Sequence, residues 1–175
     1  DNAGGFVMVC NEGNTLGKPY NIGTENTIIR HNVSINDGLR AYPTRPGWFS
    51  PVIHISGPAK QTAIEENVIV IMKKPSPEID RSVLIMDDWG GAWPENTVFN
   101  KNIFYVINDD LEYKFVTGDS KATQFDGNIF YGNFINKPDD RNAIEKEPDF
   151  TFGFPFHENF PDNLREKVIK RLKQQ

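Results

Sequence analysis

Several carboxylates, one histidine and three tryptophans lie close to Gly-containing turns and could do chemistry together. Asp37 lies in Asn-Asp-Gly, His54 in VIHIS (52–56), and Asp87 and Asp88 close VLIMDD (83–88) just ahead of Trp89. Two carboxylates flanking a glycosidic bond, about 5.5 Å apart for retention or 6.5–9.5 Å for inversion, are the minimum for hydrolysing it. Asp37 and Asp87 are the expected pair, with Glu12 and Asp88 in reserve. His54 would orient a carboxylate or a ligand hydroxyl. Arg40 would bind an acidic group, or act as the base of an eliminating enzyme. Trp48, Trp89 and Trp93 would each offer a flat apolar face to a ring-shaped ligand. Each choice has a structural alternative. Asn-Asp-Gly is a turn sequence in its own right, the two aspartates at 87–88 also shape a Gly-rich loop, and the tryptophans also suit packing. Cys10 reads as a small strand residue with no base beside it.

Strands must position these groups. In FVMVC (6–10), VIHIS and VLIMD, alternation sets Val7/Val9, Ile53/Ile55 and Leu84/Met86 on one face, the expected core. The other face carries Met8 and Cys10, His54 and Ser56, Ile85 and Asp87. On neighbouring strands His54 and Asp87 are two residues out of step, about 8 Å apart between Cβ atoms. A fourth strand, YKFVT (113–117), fits less well, because the same frame turns Lys114 inward.

The intervening chain repeats. TIIRHNVSI (27–35), TAIEENVIV (62–70), TVFNKNIFY (97–105) and TQFDGNIFY (123–131) share a Thr and, five residues later, an Asn. Asn32, Asn67, Asn102 and Asn128 recur at intervals of 35, 35 and 26 residues, the range that signals a solenoid. Each unit reads as two short strands around a bend at the Asn, a residue that tolerates the left-handed conformation. Stacked, the Asn amides would form a hydrogen-bonded ladder, with the Thr column adding a weaker one. The expected fold is all-β, a right-handed parallel β-helix of three short strands per rung and about four rungs. It would occupy residues 1–150, continuing from rungs ahead of residue 1. Residues 151–175 would cap it. FTFGFPFHENFP (150–161) would cover the end of the core, and a helix would follow with Pro161 in its first turn and Leu164, Val168 and Leu172 as its stripe.

Composition narrows the function. The chain has 175 residues, a net charge of −5 and one cysteine. It has no cluster of Lys and Arg of the kind that tracks a phosphate backbone, so nucleic acid is not an expected partner. No apolar run reaches the ~20 residues of a membrane span. A lone cysteine excludes an internal disulfide and a cysteine-based zinc site. Asp87–Asp88, Asp109–Asp110 and Asp139–Asp140 could supply oxygen ligands to calcium, but no spaced calcium loop occurs, so no cofactor is expected. The open first rung would pair with missing rungs or with another copy of the chain.

GGFVMVCNEGN (4–14), NTIIRHNVSINDG (26–38) and VIHISGP (52–58) resemble right-handed parallel β-helix proteins of the pectate-lyase-like superfamily. More narrowly, they look like secreted bacterial carbohydrate-active members, which include glycoside hydrolases and polysaccharide lyases. The resemblance covers about residues 4 to 150. It implies export, periplasmic or cell-surface location, a polysaccharide or oligosaccharide ligand, and a site on the outer face of the strands that precede the variable turns. Glycoside hydrolysis is the first expectation. A lyase using Arg40 and calcium, or a non-catalytic glycan-binding solenoid, is the alternative.

Overall fold

The computed structural model describes residues 4–11, 23–38, 40, 50–72, 76–89, 91–107 and 111–148, and residues 166, 167, 169 and 170 of the C-terminal segment. It is essentially all-β, and every strand pairing in it is parallel. Sheet I stacks β1 (Val7–Cys10), β5 (Ile53–Ser56), β9 (Ser82–Asp87), β12 (Glu112–Val116) and β15 (Asn133–Ile135). Sheet II stacks β3 (Ile28–Arg30), β7 (Ala63–Glu65), β10 (Val98–Asn100) and β13 (Gln124–Asp126). Sheet III stacks β4 (Val33–Ile35), β8 (Val68–Ile71), β11 (Ile103–Val106) and β14 (Ile129–Tyr131). The chain visits the three in turn and then returns to the first, which is the architecture of a parallel β-helix-like solenoid. Coiling supplies the crossovers that parallel pairing demands, and among the described residues no helix lies between strands.

The turn of the coil holds more than the three strands expected. Two-residue strands β2 (Thr24–Glu25) and β6 (Ala59–Lys60) pair between sheets I and II, and isolated bridges continue their line through Glu95 to Lys121. The resulting column reads Glu25, Lys60, Glu95, Lys121. Charge alternates at every step, the arrangement that favours cross-strand neighbours.

The Asn ladder forms as expected at the corner between sheets II and III. Nδ2 of Asn32, Asn67 and Asn102 each donates to Oδ1 of the next Asn at 3.0 Å. The backbone N–H of each also donates to that same oxygen, at 2.8–3.1 Å. Its end was not anticipated. Asp140 accepts from Nδ2 and the N–H of Asn128 and from the N–H of Gly127. That carboxylate, expected to be a candidate calcium ligand, instead closes the stack. Asp139 beside it is exposed, and Asp109–Asp110 lie outside the described residues.

Two expectations about the bend need correcting. The left-handed residue is the one before each ladder Asn: His31 at φ 57°, Glu66 at 52°, Lys101 at 51° and Gly127 at 66°. The Asn itself must keep its amide in the column, so the strained backbone falls one residue earlier. Asparagine does take the left-handed role at other bends, at Asn26, Asn36, Asn96 and Asn136. The Thr column makes no ladder. The hydroxyls of Thr62 and Thr97 are buried without a partner among the described residues, whereas the carbonyls of Thr27, Thr62 and Thr97 accept from the next turn at 2.8–2.9 Å.

Inside the coil, Ile53, Ile55, Leu84, Met86, Ile64, Ile69, Phe99 and Phe104 are buried to 1% exposure or less. Towards the later turns the core becomes aromatic. Phe99 stacks on Phe125 with centroids 4.5 Å apart, and Phe104 stacks on Phe130 at 5.3 Å. Tyr113 and Phe115, not Lys114, face this core from β12. A β-bulge pairs Lys114 with Ser82 but Phe115 with Leu84, which shifts the frame by one residue and turns Lys114 outward.

A second apolar cluster lies outside the coil. Val68, Val70, Ile103, Tyr105 and Ile129 project from the outer face of sheet III and are buried, with Ile169 packed against them. Glu166, Lys167, Ile169 and Lys170 are helical. Ile169 thus packs on a side of the stack. Leu164, Val168 and Leu172 lie outside the described residues, as does the aromatic run before the helix.

Candidate functional site

At the C-terminal ends of β1, β5 and β9 the outer face of sheet I gathers a polar cluster. Parallel register sets His54 opposite Ile85 and Ser56 opposite Asp87. The two-residue offset leaves the Asp87 carboxylate between two side chains of the neighbouring strand. His54 Nε2 lies 2.8 Å from Asp87 Oδ2, and Ser56 Oγ donates to Asp87 Oδ1. The His54 side chain is 6% exposed and Asp87 is 32% exposed, so the carboxylate is the member that reaches solvent.

Trp89 completes the cluster. Its ring stacks on His54 with centroids 6.1 Å apart and planes 28° from parallel, yet the residue is 57% exposed. Its backbone sits at φ 36°. A bulky residue at positive φ costs roughly 1–3 kcal/mol, and such strain concentrates where a ligand is held. Between Trp89 and the strand, Asp88 accepts the N–H of Gly91 through its carbonyl at 2.8 Å and shapes the turn.

Other candidates lie elsewhere. Asp37 is at the far end of the sheet I strands. Gly38, its neighbour, abuts the backbone of Ser50, Pro51 and Val52, which lead into β5, whereas Asp87 pairs with the last residue of that strand. The four residue steps from Val52 to Ser56 span about 13 Å. Asp37 instead accepts from Ser34 Oγ at 2.9 Å and locks its own turn. The structure therefore does not bring Asp37 and Asp87 together. Arg40 follows the same turn, with Nε buried and unpartnered among the described residues. Trp93 packs its ring on Gly118, where an added Cβ would lie 2.2 Å from the indole. Glu12 and Trp48 lie outside the described residues. Among those described, no three His, Cys, Asp or Glu side chains are grouped to hold a metal ion, and no helix is long and apolar enough to cross a membrane.

No family model, curated protein or solved structure matches this chain. The site must be read from its own geometry.

That geometry limits the chemistry. The hydroxyl of Ser56 gives its proton to Asp87 rather than to His54, so the carboxylate occupies the middle of the trio. A Ser-His-Asp nucleophile needs the imidazole in the middle to take the serine proton. What the cluster presents is one fixed carboxylate edge beside one exposed indole face. Ser56 shares the outward face with His54, two residues along the same strand, so period-2 alternation could have singled it out as a partner for Asp87.

Proposed function

We propose that the outer face of sheet I binds a carbohydrate, with Trp89 as the platform for a sugar ring and Asp87 as the acceptor of its hydroxyls. The observation that carries this is the exposed, backbone-strained Trp89 stacked beside the His54–Asp87–Ser56 trio. An aromatic ring offers an apolar face to the C–H side of a pyranose, and a fixed carboxylate selects the orientation of its hydroxyls. Binding is favoured over hydrolysis by the position of Asp37, since a hydrolase needs two carboxylates across one bond. Arg40 shares the Asp37 end of the strands, which counts against a lyase centred on Asp87.

The same reading extends to the whole chain as a right-handed β-helix of the pectate-lyase-like superfamily, exported by its host and capped by its C-terminal segment. Parallel pairing throughout and the Asn ladder support it, and crossovers between parallel strands are right-handed in about 98% of cases.

Affinity measured against a panel of soluble polysaccharides tests the function. Wild type is expected to retain at least one glycan, and Trp89→Ala and Asp87→Asn are each expected to weaken that binding about tenfold. Release of reducing ends, lost in Asp87→Asn, would restore the hydrolase reading with Asp88 or Glu12 as second carboxylate. Binding unaffected by either substitution would remove this face from consideration.

A further inference from the structure

The outer face of sheet I carries a second groove, at the start of its later strands. It encloses about 400 Å³ and is lined by Glu78, Asp80, Arg81, Glu112, Lys114 and Ile135, among others. Lys114, which the bulge turns outward, is part of its lining. Lys114 Nζ lies 2.5 Å from Asp80 Oδ2, with the two side chains 30% and 44% exposed. Ile135, opposite Lys114 on β15, is also exposed. Between this groove and the Trp89 cluster runs a mostly apolar row. Met8, His54, Ile85 and Val116 are in register across four strands, with Met8 exposed and Ile85 and Val116 half-buried. From His54 to Lys114 the path crosses two strand spacings and three residues, a diagonal of about 14 Å.

The charge along that diagonal is uneven. Asp87 and Asp88 at one end, with Glu78, Asp80 and Glu112 at the other, make five carboxylates against Arg81 and Lys114. A polyanionic ligand would meet like charge at both ends, which disfavours it relative to a neutral one. The Lys114–Asp80 pair offers a charged donor and a charged acceptor side by side, the complement of a sugar hydroxyl.

We infer that this face takes an extended, uncharged glycan lying diagonally across sheet I, with one end on Trp89 and the other against the Lys114–Asp80 pair. The inference rests on the carbohydrate-binding reading above and adds ligand length and charge to it. A single sugar ring spans only one pole. Uronate polymers, the substrates of β-eliminating enzymes, are excluded by the carboxylates.

Calorimetric titration of the intact chain tests it, with disaccharides and hexasaccharides of the neutral gluco-, manno- and galacto- series and a hexagalacturonate. One neutral hexasaccharide is expected to bind about tenfold more tightly than its disaccharide. The double variant Lys114→Gln/Asp80→Asn is expected to abolish that gain and leave the disaccharide unchanged, while Trp89→Ala weakens both. Hexagalacturonate is expected to bind worst, and to improve in Glu78→Gln/Glu112→Gln. Equal affinity for short and long neutral ligands, or a gain untouched by the Lys114 variant, would overturn the extended track. Loss on Trp89→Ala alone would still leave the carbohydrate face standing. Hexagalacturonate binding more tightly than any neutral ligand would overturn the charge selection. No binding to any of these sugars would overturn both readings. Thermal melts of each variant separate lost contacts from lost folding.

Discussion

Outward-facing residues meet opposite fates in sheets III and I. In sheet III, Val68, Val70, Ile103 and Tyr105 point away from the coil and are nonetheless buried, with Ile169 against them. In sheet I, outward Met8 is 56% exposed, Trp89 beside the strand end is 57% exposed, and Asp87 reaches solvent. Both sheets are short parallel strands over one shared core. They differ in what bounds them. Sheet III begins at the tight Asn corner, where neighbouring turns are held in step, and its outer face is sealed by apolar contacts. Sheet I ends in turns of differing sequence, and its outer face keeps Met8, the Asp87 carboxylate and the Trp89 ring open. Apolar burial outside the coil concentrates on the first side, and the face proposed for recognition is the second.

The largest test of that contrast is Asn102→Ala. It removes an acceptor used by the N–H and Nδ2 of Asn67, and a donor to Ile64 O and Asn128 Oδ1, all at a buried corner. Leaving several such groups unpaired should cost about 4 kcal/mol in urea denaturation. A loss below about 1 kcal/mol would mean that the ladder marks the corner without holding it.

A matched pair compares the two outer faces directly. Ile103→Ala, 2% exposed on sheet III, should destabilise by about 3 kcal/mol, and Ile85→Ala, half-buried on sheet I, by about 1 kcal/mol. Equal losses would erase the distinction.

Tyr113 sharpens the account of the core that both sheets share. Its hydroxyl is buried without a partner among the described residues, and burial pushes its phenol from 10.0 up to about 12. The folded state then keeps a proton that the unfolded chain loses, so this contribution is intact below pH 10 and is lost as pH rises towards 12. Tyr113→Phe should flatten that alkaline decline, and at neutral pH should be neutral or stabilising by up to about 1 kcal/mol. Tyr105, held higher still by burial and by its bond to Glu147, keeps a residual decline of the same sign. Identical alkaline denaturation curves would contradict the assignment to Tyr113.

The smallest effect is expected at Thr62→Val. The hydroxyl there is buried and unpartnered, so replacing it should be neutral or stabilising by about 0.5 kcal/mol. A loss comparable to that of Asn102→Ala would mean that the Thr column shares the corner's work after all.

The spacing of Asn32, Asn67, Asn102 and Asn128 was sufficient to predict parallel stacking and the ladder, because a hydrogen-bonded column demands one residue type at one register. Alternation in VIHIS and VLIMD likewise placed His54 and Asp87 on a common outer face, since period 2 is a property of the strand itself. Other features depend on contacts between segments distant in sequence. The bulge that reverses Lys114 is a mismatch between β9 and β12. The use of Asp140 to close the ladder, the separation of Asp37 from Asp87 and the burial of sheet III's outer face are also set by where each turn lands on the others. Local periodicity determined which residues face in and which face out. Only tertiary packing decided which outward faces are covered, which carboxylates meet, and hence where a ligand could be bound.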